Sequence, residues 1–179
     1  MTDTETQSQQ GSPFWRFSLQ FYDQPAVADA CIALQDRAGI DVDLLLFLFW
    51  QATRQRALSP AEIAALDASV GAWRDATVVP LRAVRRALKT LPTLVEADAA
   101  EAFRNRIKAV ELEAERLQQE AMYALAQSPP LGRDHPSPAE AARVNIAAYE
   151  TMRAVAFPTA ARDRLLAAFA AMHPEGKGE

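Results

Sequence analysis

The sequence has few of the residues from which most metal, redox and nucleophilic sites are built. Its 179 residues include 1 cysteine, Cys31, and 2 histidines, His135 and His173. One cysteine cannot form an internal disulfide, and these three residues do not have the spacing of a metal site. The sequence also has no glycine-rich phosphate loop, GxSxG elbow or HExxH pair. It therefore predicts no catalytic residue, no metal and no cofactor, and it is typical of a reducing compartment, the cytoplasm.

Strand signals and signs of a second domain are also missing. Only 6 glycines occur, and no segment shows the sustained β-branched alternation that is typical of a strand. Alanine, a strong helix former, is frequent throughout the chain. A length of 179 residues fits one domain of ordinary size. We therefore expect an all-α fold, a single-domain helical bundle.

An excess of positive charge and a membrane-length apolar run are absent as well. The formal net charge is -4, whereas general nucleic-acid binding needs an excess of Lys and Arg. Nucleic acid is therefore not an expected partner, although binding through a local basic patch is not excluded by the net charge. The longest apolar run is shorter than the roughly 20 residues that span a bilayer. Because residues 1–10 lack a basic region and an apolar region, we expect neither a secretory signal nor a membrane anchor.

The chain does contain one strongly apolar segment. Residues Leu44 to Trp50 read LLLFLFW, and most of the aromatic residues lie between Phe14 and Trp50. A helix that is apolar on every side must lie at the centre of a bundle or inside a subunit contact. We therefore expect this helix to form the core, with the later, alanine-rich helices packed around it.

Capping residues predict where several helices begin and end. Ser59-Pro60-Ala61-Glu62 and Ser137-Pro138-Ala139-Glu140 have the pattern of a capping box, in which the serine and the glutamate each accept from a free backbone N–H. Asp41 is placed to cap the central apolar helix, and Gly39 supplies a left-handed C-terminal cap for the helix before it. These signals predict helix starts at 42, 60 and 138.

Prolines interrupt two of the predicted helices. Because proline lacks an N–H and clashes with the preceding turn, one helix should run to about Thr77 and bend near Pro80, and another should break at Pro158. With these kinks, the periodicity predicts about seven helices over residues 13–172. The polar segment 1–12 and the segment 173–179 are predicted to be disordered tails.

The longest predicted helix spans Leu94 to Ala126 and carries an apolar stripe. Its members recur in steps of three and four residues, as in a coiled-coil seam. They are Ala100, Phe103, Ile107, Val110, Ala114, Leu117, Ala121 and Ala124. Because several are alanine, a partner helix is expected to approach the stripe closely.

Two segments, 59–88 and 137–166, place serine and proline at the same interval. A duplicated, kinked helix pair would produce this pattern. Coincidence is the favoured interpretation in a chain so rich in alanine and proline, because convincing repeats need more than two copies.

Four carboxylates cluster in sequence beside the apolar segment and are the candidate polar site. They are Asp29, Asp36, Asp41 and Asp43. Helical enzymes of isoprenoid diphosphates hold Mg²⁺ between aspartates of facing helices, and hard cations prefer such oxygen ligands. The spacing here does not reproduce a paired aspartate-rich motif. Helix capping and solvation are therefore favoured over metal binding.

A helix with a leucine face and a cationic face is the candidate surface for an anionic partner. Its basic residues are Arg82, Arg85, Arg86 and Lys89, with no acid between Thr77 and Val95. RNA, a lipid surface or an acidic protein would suit such a face. A solvated stripe is the more common explanation.

Cys31 and His135 have ordinary structural explanations. Cys31 belongs to the predicted buried stripe of its helix and has no basic neighbour in sequence to lower its pKa, so it is expected to be a core residue. His135 lies in the proline-rich loop 128–136, and no nucleophile with a supporting motif accompanies it. An exposed loop histidine without function is the favoured interpretation.

Three blocks of the N-terminal third are Phe14-Trp15-Arg16-Phe17-Ser18-Leu19, Ala30-Cys31-Ile32-Ala33-Leu34-Gln35-Asp36 and Gly39-Ile40-Asp41-Val42-Asp43-Leu44-Leu45-Leu46-Phe47. Together they resemble an uncharacterised family of short, conserved proteobacterial proteins, the domain of unknown function 2390 type. The resemblance fades beyond about Leu91, and asparagine is usual where this chain has Asp43. It implies a bacterial cytosolic protein and no catalytic residue, cofactor or partner.

Three hypotheses for the function follow from the sequence. The first is a non-enzymatic interaction or adaptor module that contacts an unknown protein or itself, because no catalytic constellation is present and the long helix carries an apolar stripe. The second is an enzyme or binder of an apolar, isoprenoid-like ligand, with aspartates around Asp36 at the pocket mouth. The third is an RNA- or ribosome-associated protein that uses the basic face from Arg82 to Lys89.

Overall fold

A computed structural model describes residues 11–90, 95–127 and 129–173. Its α-helices are Pro13–Tyr22 (α1), Val27–Ala38 (α2), Val42–Thr53 (α3), Pro60–Trp73 (α4), Val79–Ala87 (α5), Ala97–Leu125 (α6), Pro138–Arg153 (α7) and Thr159–Met172 (α8). Helices α4 and α5 are joined without a break and form one continuous helical segment, so the described part of the chain contains seven such segments. The predicted all-α bundle is confirmed. Residues 1–10 and 174–179 of the predicted tails lie outside the described residues.

Helix α3 lies at the centre of the bundle, as its all-round apolar sequence predicts. Every residue from Asp43 to Ala52 is buried. The aromatic rings around it interlock: Phe14 contacts Phe47 edge-on at 5.2 Å between centroids, and Phe49 lies 5.2 Å from Phe169 of α8. Helix α7 packs along another side of α3. Burial of whole aromatic side chains removes more apolar surface from water than the alanines of the outer helices do.

The predicted helix ends are present in the structure. The Asp41 carboxylate accepts from the backbone N–H of Asp43 at 2.8 Å, and Gly39 ends α2 with φ +61°. At the start of α4, Ser59 Oγ accepts from Glu62 N at 3.3 Å and Glu62 accepts from Ser59 N at 2.8 Å. These contacts satisfy N–H groups that a helix start leaves free.

The predicted bend at Pro80 takes a different form. The helix continues through it, because residues Arg74–Val78 adopt one wider, π-helical turn between α4 and α5. A proline at position 80 cannot donate to the Ala76 carbonyl, and the wider turn just before it lets the chain stay helical. Before Pro158 the chain does break: α7 ends at Arg153 and is capped by Ala154, which has φ +51°, and α8 begins at Thr159. The two segments of the suggested duplication therefore differ in structure.

The long helix α6 is present, but its predicted seam is not the buried face. Among the stripe residues only Ala114 is buried, whereas Phe103, Val110 and Leu117 are 44%, 52% and 42% exposed. The buried residues of α6 are Glu111, Ala114, Gln118, Gln119 and Met122. The prediction failed because polar groups on α3 and α5 need partners, and α6 turns its polar side inward to supply them.

A short antiparallel β pair joins two loops, although the sequence gives no strand signal. Arg56–Ala57 (β1) pairs with Arg133–Asp134 (β2). Asn145 of α7, fully buried, holds this region: its amide oxygen accepts from Leu58 N at 2.7 Å, and its Nδ2 donates to the carbonyls of Leu48 and Arg56, each at 3.0 Å. One side chain therefore ties α7 to the middle of α3 and to β1.

We predict that Asn145→Ala lowers the free energy of unfolding by about 3 kcal/mol, because three backbone groups lose a hydrogen-bond partner in a dry environment. Urea unfolding measures the change. Asn105→Ala, a truncation of an exposed asparagine on α6, is the matched control and should stay within about 0.5 kcal/mol of wild type. An Asn145→Ala value equal to the control value would contradict this role.

We also predict that Leu45→Asp abolishes folding, because a carboxylate in the fully buried site of Leu45 would have no partner. The far-UV circular dichroism of the purified variant is the measurement. Leu112→Asp, at a 41% exposed leucine of α6, should keep the helical spectrum and melt cooperatively. A cooperative melt of Leu45→Asp at the wild-type temperature would show that α3 is not the central helix.

Candidate functional site

A single large cleft collects most of the residues that the sequence singles out. Its volume is about 980 Å³, and it lies between α1, α2, α3, α5 and α6. Helix α1 runs beside the end of α6, where Ser12 N donates to Glu120 Oε1 at 2.8 Å. From there the cleft follows α6 from Gln119 to Lys108, about 16 Å at 1.5 Å per residue.

The inner part of the cleft is largely apolar. Trp15 and Leu19 of α1 face it from one side, and Ile32 of α2, Leu46 of α3 and Leu112 of α6 from the others. Trp15 and Leu46 are buried, whereas Ile32 and Leu112 are exposed along the opening. Four helices therefore contribute apolar surface to one concave region.

Buried ion pairs form the wall between α5 and α6. Arg82 donates to Glu111 at 3.2 Å and to Glu115 at 2.6 Å. Arg85 donates to both oxygens of Glu111, and the Nη2–Oε1 contact is 3.0 Å long. Glu111 is only 4% exposed. Because a buried carboxylate is stable only with partners, the two arginines hold α5 at a defined position on α6.

A second set of polar groups lies at the inner end. Gln119 Nε2 donates to Asp43 Oδ1 at 2.7 Å, and both side chains are buried. Burial raises the pKa of Asp43 well above its ordinary value, and the charges of Glu115 and Asp41 raise it further. Burial also raises the pKa of Glu115, against the opposing effect of Arg82. Protonation of Asp43 therefore extends to higher pH than that of an exposed aspartate.

The outer end of the cleft carries positive charge. Arg86 is paired with Asp36 at 3.1 Å, and both side chains are about half exposed. Lys89 and Lys108 also line this region, and within the described residues neither takes part in a salt bridge. Asp23, at the end of α1, also lines the cleft. On α6, the hydrogen bond from Arg104 and the charge of Lys89 lower the pKa of Glu101, which is paired with Arg104 at 2.7 Å. The polarity of the cleft thus changes along its length, from apolar and neutral to cationic.

The structure brings the two predicted residue sets together only in part. Asp36 and Asp43 line the cleft, as do Arg82, Arg85, Arg86 and Lys89. Asp41 instead caps α3 and is bound by Arg74 at 3.0 Å and by Gln118 at 2.8 Å. Asp29 is exposed on α2 and does not line the cleft. Arg82 and Arg85 face inward, so they do not form a solvated face with Arg86 and Lys89.

Sequence reasoning missed the contribution of α6. Glu111, Glu115 and Gln119 recur every four residues and line the cleft. This spacing is a signal for one helix face, but the apolar stripe beside it pointed to the opposite orientation. Nothing local in the sequence shows that the arginines of α5 face these residues.

The remaining candidates do not create a second site. Cys31 is buried, and burial raises its pKa to about 12, so its thiol is protonated at neutral pH. The described ranges 11–90, 95–127 and 129–173 contain no cluster of three or more His, Cys, Asp or Glu residues suited to a metal ion. No helix in these ranges has the length and apolarity to cross a membrane.

We predict that Asp43→Asn is more stable than wild type at pH 8 and that this advantage shrinks as the pH falls. A carboxyl whose pKa is raised in the folded state contributes stability below its unfolded pKa and loses it as the pH rises through the folded pKa. The expected difference at pH 8 is about 1 kcal/mol or more. Urea unfolding of both proteins between pH 4.5 and pH 8 measures it. An advantage that does not change with pH would contradict the burial of an ionisable Asp43.

Comparison with known proteins gives one match. Over residues 13–122 the chain matches the family described as Protein of unknown function (DUF2390). The matched region includes α1, α2, α3 and α5 and continues along α6 as far as Met122. It extends beyond the N-terminal third in which the sequence resemblance was expected to lie. No curated protein and no solved structure matches the chain. The match covers more than half of the sequence, and the chain therefore belongs to this family of proteins of unknown function.

Proposed function

We propose that the protein binds an elongated small molecule that has an apolar body and one anionic end. The observation that supports this function is the cleft itself, in which an apolar inner part and a cationic outer end occur on one continuous surface. Its volume of about 980 Å³ falls at the upper end of the range usual for small-molecule sites. This proposal is closest to the second hypothesis from the sequence, a binder of an apolar ligand.

The apolar body would lie on the inner part of the cleft. Trp15, Leu19 and Leu46 offer apolar contact there, and Ile32 and Leu112 offer it along the opening. Exposed Ile and Leu side chains that lie singly on a surface need no explanation, but here they border a concave site. A ligand that covers them gains the free energy of burying apolar surface, about 25 cal/mol per Å².

The anionic end would lie near Lys89 and Lys108. Glu111 and Glu115 are already neutralised by Arg82 and Arg85, and Arg86 is paired with Asp36. Asp23 also lines the cleft, and Glu101, which lies near Lys89, is itself paired with Arg104. Two lysines against Asp23 therefore leave a positive excess at the outer end. Lysines at this end attract an anionic group and fix its orientation.

Binding without catalysis is favoured by the state of the acidic groups. Glu111 and Glu115 accept hydrogen bonds from arginines, and a general base must instead be free to take a proton from the substrate. Asp43 is bonded to Gln119 at the inner end. The carboxylates therefore support the shape and the charge of the site.

Decanoic acid and decanol form a matched pair of probes for this proposal. We predict that both quench or shift the fluorescence of Trp15, and that the acid binds more tightly, as measured by isothermal titration calorimetry. The double variant Lys89→Glu/Lys108→Glu should weaken binding of the acid at least tenfold and leave binding of the alcohol unchanged. Ile32→Asp should weaken both, because it places a charge on the apolar surface.

Arg164→Glu provides the control for charge reversal, since Arg164 is exposed on α8 and does not line the cleft. It should bind both probes as wild type does. Failure of either probe to bind at millimolar concentration would argue against an apolar binding site. If the double lysine variant loses affinity for decanoic acid and for decanol equally, the lysines do not bind an anionic end of the ligand.

A second candidate function is contact with a protein, the leading hypothesis from the sequence. It is favoured by a separate observation: Phe103, Val110 and Leu117 recur every seven residues on the outside of α6, and all three are more than 40% exposed. The RNA hypothesis has less support, because Arg82 and Arg85 of its basic face are engaged with Glu111.

We also propose that the protein acts in the bacterial cytoplasm. The support comes from the sequence: it resembles proteobacterial proteins, and it contains a single cysteine. Fractionation of the native cell followed by immunodetection would test this location.

A further inference from the structure

The outside of α6 carries an apolar surface that, within residues 11–90, 95–127 and 129–173, no helix covers. We call Phe103, Val110, Leu117 and Ala124 the outer stripe; all four are exposed and lie seven residues apart on one side of the helix. Trp73 extends it: this side chain is 40% exposed, and its Nε1 donates to the Ala114 carbonyl beside the stripe at 3.0 Å. The stripe spans about 31 Å of helix.

We propose that the outer stripe pairs with the same stripe of a second copy of the chain, with the two α6 helices antiparallel. The inference rests on the second candidate function, contact with a protein, and it names the partner and the orientation. It does not involve the ligand cleft, which lies on the other side of α6: Leu112, Glu115 and Gln119 line the cleft, and none belongs to the outer stripe.

The antiparallel orientation follows from shape. A two-fold axis near Glu113 would place Val110 opposite Leu117 of the second copy. It would also place Phe103, the largest residue of the stripe, opposite Ala124, the smallest. A large side chain against a small one lets two helices interdigitate along the whole stripe. A parallel pair would instead set Phe103 against Phe103 and Ala124 against Ala124.

The charges beside the stripe favour the same orientation. Arg106 and Glu120 flank the outer stripe on the solvent side. Within the described residues Arg106 takes part in no salt bridge, and its guanidinium lies 5.5 Å from the Phe103 ring centroid. Glu120 uses Oε1 to accept from Ser12 N. The antiparallel arrangement brings each Arg106 close to Glu120 of the other copy, which forms two ion pairs. Glu113 lies near the axis, where its internal pair with Arg116 at 2.6 Å offsets repulsion between the two copies.

Sedimentation equilibrium of the purified full chain tests the proposal. We expect a reversible dimer, and we expect Leu117→Glu to raise its dissociation constant at least tenfold. Leu112→Glu is the matched control, since Leu112 is a similarly exposed leucine of α6 on the cleft side. Circular dichroism confirms that each variant is folded.

Charge exchange tests the orientation. Arg106→Glu and Glu120→Arg should each weaken the dimer, and the double variant Arg106→Glu/Glu120→Arg should recover wild-type dimerisation, because it restores both pairs with reversed polarity. A double variant as weak as the single variants would overturn the antiparallel arrangement.

A wild-type chain that stays monomeric at hundreds of micromolar would overturn the second copy as the partner. Failure of self-association would not by itself rule out contact with a different protein. If the monomer forms a complex with a different protein and Leu117→Glu abolishes that complex, protein contact stands and only the self-association fails. If decanoic acid binds wild type and Leu117→Glu equally, the cleft and the outer stripe are independent sites.

Discussion

Helix α3 imposes the main constraint on this fold, because it offers no polar side to water. Its residues from Asp43 to Ala52 are all buried, so α1, α6, α7 and α8 must together enclose it. Yet the same helix begins with two carboxylates, Asp41 and Asp43. The enclosing layer therefore has to be apolar along the length of α3 and polar at its first turn. That combination decides how the longest helix is placed.

Helix α6 meets the polar requirement by turning Gln118 and Gln119 inward to Asp41 and Asp43. The same rotation brings Glu111 to the arginines of α5, and it leaves the apolar stripe with Phe103 on the outside. Burying Glu111 without Arg82 and Arg85 would cost several kcal/mol, more than the partial exposure of a few apolar side chains. The cleft and the outer stripe are thus two results of one orientation.

The basic residues of the cleft have two different roles, one structural and one proposed for binding. Arg82 and Arg85 are bound to glutamates of α6 and hold α5 in place. Lys89 and Lys108 lie further along the opening, where their positive charge is available to an anionic ligand. A protein surface with positive excess inside an acidic chain, net charge -4, concentrates anions locally even though the whole molecule repels them.

Local chemistry in the sequence determined the all-helical fold, the central position of α3 and the helix ends at Gly39, Asp41 and Ser59, because each depends on neighbours within a few residues or on one helix's own periodicity. The same kind of reasoning identified Asp43 and the basic residues of α5 as polar groups of interest. It could not place them together, since Asp43 lies 76 residues before its partner Gln119 and Arg85 lies 26 residues before Glu111. Only the tertiary structure decided that α6 presents Glu111 and Gln119 to the interior and its apolar stripe to solvent. The physical reason is that pairing buried charges across three helices outweighs the apolar pattern of one, and that balance exists only once the helices are packed.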